Sequence, residues 1–472
     1  MKENTVPFHR HIISLICVAI ISGGVVQMLN KPQLIDQTEN DELAKVHTLF
    51  QNIQKDYYES VDPDVLIEGA LQGMTEALDD PYTSYFNQED SEAFSETLSG
   101  HFEGIGATLM LQNDLPVIAE QPAPESPAAQ SGLQMDDQIL RVDGKETKGE
   151  SLTEIVSWIR GEQGTTVTLT IQREAAVLDV EVTRNVIAIE SVYGSIDAQH
   201  SAVGKIEIAT FSENTAAELQ AMIEKLRKAG ATSFVLDLRG NPGGYLDQVE
   251  RMASMFLADG DVIVQFGLKE EIVGEVRASS ELDQGFKVTE PVVVLVDGGS
   301  ASASEILAAA LQESAGVPVV GMQTFGKGTV QGVQSLDEQS EIKLTIQKWL
   351  TPKGNWLNEV GVTPDNVVDF PEYAYYSSLL QDEFVVLGDT SEKAQELNQF
   401  LEVLGYMDDV EDTFNESTQA ALSLFQEENE LTVTGALDLA TAVKLEEQLR
   451  VKLRENDPMY LKAIEVLLER TN

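Results

Sequence analysis

Val292-Val293-Val294-Leu295-Val296 is an unbroken apolar run, too short for a buried helix and without the polar alternation of a half-exposed strand. It reads as a strand covered on both faces. Three more apolar strands, Val203 to Ile208, Phe234 to Leu238 and Val317 to Gly321, alternate with amphipathic helical segments. Leu219, Met222, Ile223 and Leu226 mark one helix, and Val249, Met252, Ala253 and Phe256 another. Residues 186–380 are therefore expected to form a mixed α/β core with helices on the sheet. Residues 99–185 carry short strands (Ala107 to Leu111, Leu115 to Ala119, Gln138 to Val142), an Asp143-Gly144 turn, a helix through Leu152, Ile155, Val156 and Ile159, and two alternating strands (Thr166 to Gln172, Val177 to Thr183). Residues 41–98 are helical, with Val46, Leu49, Phe50 and Ile53, then Leu66, Ala70, Met74 and Leu78, at helical spacing; Asp79-Asp80-Pro81 ends that stretch. Residues 381–472 are helical again, with Leu397, Leu401, Leu404, Ala420, Leu424 and Phe425 as a small core. The fold class is α+β and multidomain.

Charge and cysteine usage narrow the function. The 472 residues include 31 basic and 79 acidic side chains, a net charge of −48, which argues against nucleic acid or anionic lipid as a partner. The single cysteine, Cys17, lies in the apolar stretch Ile12 to Leu29, so thiol catalysis and disulfides are excluded together. That stretch follows Lys2, His9, Arg10 and His11 and has no cleavage pattern before Asn30. It reads as an uncleaved signal anchor: residues 1–40 form a cytoplasmic tip and a single span of the cell membrane, and the rest is extracytoplasmic.

The catalytic chemistry is approached by elimination. The five histidines are His9, His11, His47, His101 and His200, of which one falls in the α/β core, so a Ser-His-Asp triad has little to draw on, and no zinc-binding H-E-x-x-H occurs. The core does hold Ser300-Ala301-Ser302-Ala303-Ser304-Glu305, between the strand Val292 to Val296 and an apolar helix. A serine there caps a helix or, if aimed at a base, serves as a nucleophile. The base on offer is Lys327, in Thr324-Phe325-Gly326-Lys327-Gly328-Thr329-Val330-Gln331. Apolar surroundings favour neutral lysine, the form that accepts a proton, and Gln331, on the same face of an extended chain, could orient it. Oxyanion donors could come from the Ala303 amide and from Gly243 or Gly244 in the turn Arg239-Gly240-Asn241-Pro242-Gly243-Gly244. Neither a metal nor another cofactor is required. Gly321 to Lys327 also has the spacing of a phosphate loop, but Gly328 replaces the magnesium-binding hydroxyl and Thr329 to Leu336 alternates like a strand.

Together these motifs resemble the C-terminal processing (tail-specific) peptidase family. In that family the nucleophile and the lysine are 25 positions apart, which selects Ser302 with Lys327 and puts the accompanying glutamine at Gln331. The likeness extends to Leu78 to Tyr85, Gly100 to Gly106, Leu238 to Gly244, Trp349 to Gly354 and Gly361 to Asp365. It implies a serine endopeptidase acting on proteins or peptides with free C-termini. It also implies a PDZ domain at 99–185 whose Phe102-Glu103-Gly104-Ile105-Gly106 segment receives the terminal carboxylate, in keeping with glycines that let backbone amides converge on an anion. By resemblance Arg160 couples peptide binding to the active conformation; otherwise it is a cation at a helix end. Leu404-Gly405-Tyr406, Thr418, Phe425-Gln426, Leu431, Gly435 and Thr441 resemble a peptidoglycan-binding module, which implies either wall binding or a part in homodimerisation. The other function weighed is a scaffold with an inactive core, which would not need Lys327.

Overall fold

The computed structural model describes residues 43–337, 340–380, 385, 387–408 and 412–471, and the chain divides into two compact units. The apolar stretch 12–29 lies outside the described residues, and among the described residues no helix is long and apolar enough to cross a membrane.

The smaller unit comprises described residues 43–95 with 329–347. Helix α1 spans Ala44–Asp56 and α2 spans Pro63–Glu76; proline at the first position of α2 and the Asp62 carboxylate accepting from the Asp64 amide explain where α2 starts. The helical lead-in forms as the spacing predicts, but its apolar positions are not a core. Val46, Leu49, Met74 and Leu78 are all at least half exposed. The proline-containing turn does more than stop the helix. Thr83 Oγ1 donates to Asp80 Oδ2 at 2.7 Å and accepts from the Thr345 amide at 3.1 Å, tying the turn to strand β18, Glu341–Leu350. Strand β1, Ser84–Phe86, pairs antiparallel with the start of β18, and β17, Thr329–Ser335, also pairs with it.

In the larger unit the first domain has the strands expected of it. Strand β2, His101–Gly104, pairs with β9, Asn185–Ala188; a second sheet runs in the order β3 (Leu109–Gln112), β4 (Leu115–Ile118), β5 (Gln138–Val142), β7 (Thr166–Arg173) and β8 (Ala176–Thr183), with β3 at its edge and the short β6 (Lys145–Glu146) paired to β5. Alternate residues of β7 (Thr166–Arg173), Val167, Leu169 and Ile171, are fully buried, as a period of two requires. Helix Leu152–Ile159 closes the core with Ile155.

The second domain is built on a sheet whose strands run in the order β10 (Val192–Ile196), β11 (Val203–Ile208), β12 (Ser233–Asp237), β15 (Val292–Val296), β16 (Val319–Gly321) and β19 (Asn366–Val367), of which β11, β12, β15 and β16 run parallel. β12 and β15 are buried at every residue, as an apolar strand covered on two faces must be. Gly204 of β11 faces Leu226 of the helix Thr215–Lys228, so that helix lies on one face. The opposite face presents Val203, Val235, Val293, Leu295 and Val320, and its cover comes from the far end of the chain: helix Pro458–Thr471 packs Met459, Ala463, Ile464 and Leu467 onto them. That helix is the end of the stretch 381–472, expected to form the C-terminal domain. The remaining helices of that region, Glu392–Val403, Glu416–Glu428 and Leu439–Glu455, enclose Leu397, Leu401, Phe425, Leu445 and Leu449. Leu404 is packed at the edge of that core, whereas Ala420 and Leu424 are exposed. Three and four residues back from Phe425 along a helix come Leu422 and Ala421, which take the buried positions instead.

Leu467 is fully buried between the last helix and the sheet. Leu467→Ala is expected to destabilise the peptidase-core domain by about 2–5 kcal/mol, with the loss visible in denaturant unfolding; an unchanged midpoint would mean that the C-terminal helix is not part of this core.

Candidate active site

After β15 the chain turns at Asp297-Gly298-Gly299-Ser300-Ala301-Ser302 and enters the helix Ala303–Ala315. Ser302 stands at the turn with φ 56° and ψ −111°, a conformation unfavourable for a side chain with a Cβ. A strained strand-to-helix turn of this kind lifts a serine hydroxyl out of the fold. The neighbouring serines are fully buried and occupied: Ser300 Oγ donates to Leu238 O at 2.8 Å, and Ser304 Oγ donates to Asn241 O at 2.9 Å. Ser302 alone of the three is partly exposed.

What holds the turn is Glu305, whose side chain is fully buried. Its Oε2 accepts from the Ser302 amide and the Lys327 amide, each at 2.8 Å, and its Oε1 accepts from Thr324 Oγ1 at 2.6 Å and the Gly326 amide at 2.7 Å. One carboxylate thus joins the serine turn to the lysine loop. The loop has further supports: the Trp349 indole donates to Lys327 O, the Trp356 indole to Gly328 O, and the Val362 amide to Thr324 Oγ1. Its glycines are there for room and torsion. Gly326 has φ +89°, and a Cβ on Gly328 would lie 2.6 Å from the Asn358 nitrogen. Through Trp349 and Val362 these contacts tie the segments Trp349 to Gly354 and Gly361 to Asp365 to the lysine loop. Strand β17 follows the loop directly, where a phosphate loop would begin a helix, so the nucleotide reading fails.

The Arg239 to Gly244 turn lies against Ser302. A Cβ on Gly243 would sit 2.8 Å from the Ser302 Cβ and 3.1 Å from the Ala303 nitrogen. Buried Asn241 fixes the turn, donating to Ile208 O at 2.7 Å and accepting from the Gly243 amide at 2.9 Å. That bond uses the Gly243 amide, whereas the Gly244 and Ala303 amides have no partner among the described residues. Gly244 could not be replaced, since a Cβ would meet Phe211 O at 2.2 Å. Gln331 belongs to the smaller unit, where its Nε2 donates to Thr329 Oγ1 at 2.9 Å and Thr345 Oγ1 at 3.2 Å.

In the first domain, Phe102, Glu103 and Gly104 are strand residues paired with Ile187, Val186 and Asn185, while Ile105 and Gly106 form the stretch that leads to edge strand β3. Arg160 follows the helix Leu152–Ile159, and its guanidinium lies 5.0 Å from the centroid of the Phe102 ring, so it touches the expected peptide-binding segment as well as capping a helix. In the C-terminal helices, the residues of the wall-module pattern form a buried polar network. Thr418 donates to Asn398, and Gln426 donates to Thr441 and accepts from the Gly435 amide.

Comparison with known proteins agrees with this architecture. Models of peptidase family S41 match residues 202–368, of a PDZ domain 118–173, of a putative peptidoglycan binding domain 390–445, and of the activating protease CtpB N-terminal domain 23–90. The chain is 38% identical over 460 residues to the carboxy-terminal processing protease CtpA of Bacillus subtilis, covering 96% of this chain and 97% of that one. It is 35% identical to a probable CtpA-like serine protease of Staphylococcus saprophyticus, covering 90% and 85%. A solved photosystem II D1 C-terminal processing protease is 29% identical, covering 71% and 90%, with a TM-score of 0.41. The chain belongs to the carboxy-terminal processing serine proteases of peptidase family S41, and it carries a PDZ domain and a peptidoglycan-binding-type module.

Glu305 is the residue of this site that sequence reading passed over, because a glutamate three residues into a helix reads as an ordinary capping partner. Glu305→Gln would set an amide NH2 against N–H donors whichever way it turned, leaving buried groups unpaired. A stability loss of about 1–3 kcal/mol, together with a larger proportional loss of turnover, is expected from unfolding and peptidase assays; wild-type turnover would contradict the joining role.

Proposed function

We propose that this protein is a membrane-anchored, extracytoplasmic endopeptidase that takes substrates by their free C-termini and cleaves them through an acyl-enzyme on Ser302, with Lys327 as base. The observation that carries the reading is the shared Glu305 carboxylate, which supports the strained Ser302 turn and the Lys327 loop together. In this mechanism Ser302 Oγ attacks the scissile carbonyl as its proton passes to neutral Lys327 Nζ. The oxyanion accepts from the Gly244 and Ala303 amides. As the intermediate collapses, the C–N bond breaks and the Lys327 ammonium returns the proton to the leaving amine. Water then hydrolyses the ester. Gln331, four residues beyond the lysine, is assigned to orienting it.

The PDZ domain would capture the terminal carboxylate at Phe102 to Gly106, the substrate adding a strand at the β3 edge, and the Arg160 contact with Phe102 would relay occupancy. The exposed Val46, Leu49 and Met74 of the lead-in helices suit a homodimer, and the C-terminal module suits either peptidoglycan or that same dimer. The membrane span is assigned to the apolar stretch 12–29.

Ser302→Ala should abolish cleavage of an unstructured protein, whereas Ser300→Ala and Ser304→Ala should lose stability but keep turnover. Lys327→Arg should be inactive despite its charge, since a guanidinium does not release its proton, and wild-type activity should rise with pH as the lysine amine deprotonates. Substantial cleavage by Lys327→Arg would sink the assignment.

Amidating the substrate's C-terminus should raise KM, because it removes the charge that backbone donors recognise. Equal KM values for free and amidated peptides would refute capture by the PDZ domain.

A further inference from the structure

The family model ends at residue 368, yet the turn beside Ser302 is tied to a residue far beyond it. Arg239 opens that turn. Its guanidinium makes a two-pronged pair with Asp237 at the end of β12, Nε to Oδ1 at 2.8 Å and Nη2 to Oδ2 at 2.7 Å. The same Nη2 reaches Asp457 Oδ2 at 2.7 Å, and both partner carboxylates are largely buried. The Phe370 ring lies 5.8 Å from the guanidinium carbon. Asp457 is itself held: its Oδ1 accepts from the Tyr460 amide at 3.0 Å and its carbonyl from the Leu461 amide, so it caps the helix Pro458–Thr471 that covers the sheet. The Tyr460 hydroxyl donates to Asp197 Oδ2 at 2.9 Å, and at the other end of the helix Arg470 donates to Gly316 O.

We propose that Asp457 is a positioning residue for the peptidase reaction: by tethering Arg239 to the docked C-terminal helix, it sets the place of the Arg239 to Gly244 turn and so of the Gly244 amide. The inference rests on the serine peptidase reading above. Asp237 already gives Arg239 a two-pronged partner while also lying 3.7 Å from Lys205 Nζ, and what Asp457 adds besides charge is a fixed point outside strand β12. From Arg239 the restraint passes along a stiff path. The Gly240 amide donates to Asp297 Oδ1 at 2.8 Å, in the turn that leads to Ser302, and Asn241 is buried and locked to Ile208 and Gly243. Asp457 also lies one residue past Asn456, which caps the last helix of the wall-type module, so the module's end and the oxyanion turn are linked through one carboxylate.

The test uses the full-length chain. Asp457→Asn preserves an oxygen for the helix cap but turns an NH2 toward the guanidinium. A displaced oxyanion donor acts on the transition state more than on substrate binding, so kcat is expected to fall about tenfold or more with KM within about twofold. Phosphonylation of Ser302 by a fluorophosphonate, whose oxygen uses the same donors, should slow in parallel, and Asp457→Glu should restore part of both rates. Arg470→Ala, which loosens the other end of the helix, should lower the thermal midpoint and leave kcat unchanged. The proposal is overturned if Asp457→Asn keeps wild-type kcat, or if kcat in Arg470→Ala falls in step with its midpoint, since then only helix docking matters. Failure of the underlying reading is separately visible: a wild-type chain that does not cleave, or a Ser302→Ala chain that does, refutes the site itself.

Discussion

A carboxylate removed from water costs several kcal/mol unless hydrogen-bond donors replace its hydration, and Glu305 meets that demand with four of them. Two come from the backbone of the lysine loop, one from the amide of Ser302 and one from a threonine hydroxyl. Each donor is drawn to the same point by the same need, so serine turn and lysine loop cannot be arranged independently. Satisfying the buried charge is therefore also what assembles the site, and the strain at Ser302 is sustained because Glu305 holds the amide on one side of it while the helix Ala303–Ala315 holds the other.

Around this centre the sheet acts as a frame. Strands β12 and β15 deliver the two turns that meet at Ser302, and Gly243, Gly244, Gly326 and Gly328 stand where a Cβ would collide with the opposing chain. The frame is not complete within the segment that the family model covers. One face is finished by the helix Pro458–Thr471, so in chain order the wall-type module is inserted between the last strand of the sheet and the helix that closes it. The module and the sheet that carries the Ser302 turn share a physical element as a result.

Much of this architecture is legible along the chain, for identifiable reasons. The apolar run at 292–296 coincides with a strand because burial on both faces leaves no polar position to blur it, and Gln138–Val142 with its Asp143-Gly144 turn is equally plain because the turn needs positive φ at both residues. The strands Val262–Leu268, Glu271–Arg277 and Glu341–Leu350 were not legible: each mixes glycine, charge or polar residues with apolar ones, and it is pairing that makes them strands, the first two with each other as a hairpin and the first with Glu341–Leu350 far along the chain. In the C-terminal helices the period was evident but its phase was not, since Ala420 and Leu424 fit a helical stripe as well as Ala421 and Leu422 do.

By itself the sequence determined the chemistry on offer: one serine cluster, one lysine between glycines and too few histidines for a triad, with the expected pairing of Ser302 and Lys327 supplied by the family resemblance. Those are properties of residue identity and order. Which serine leaves the core, which amides beside it stay without a partner among the described residues, and that Glu305 and Asp457 belong to the same assembly were decided only by the tertiary structure. A hydrogen bond depends on where donor and acceptor meet in space. No local pattern records that a carboxylate at residue 457 will meet a guanidinium at residue 239 across a helix docked on a sheet.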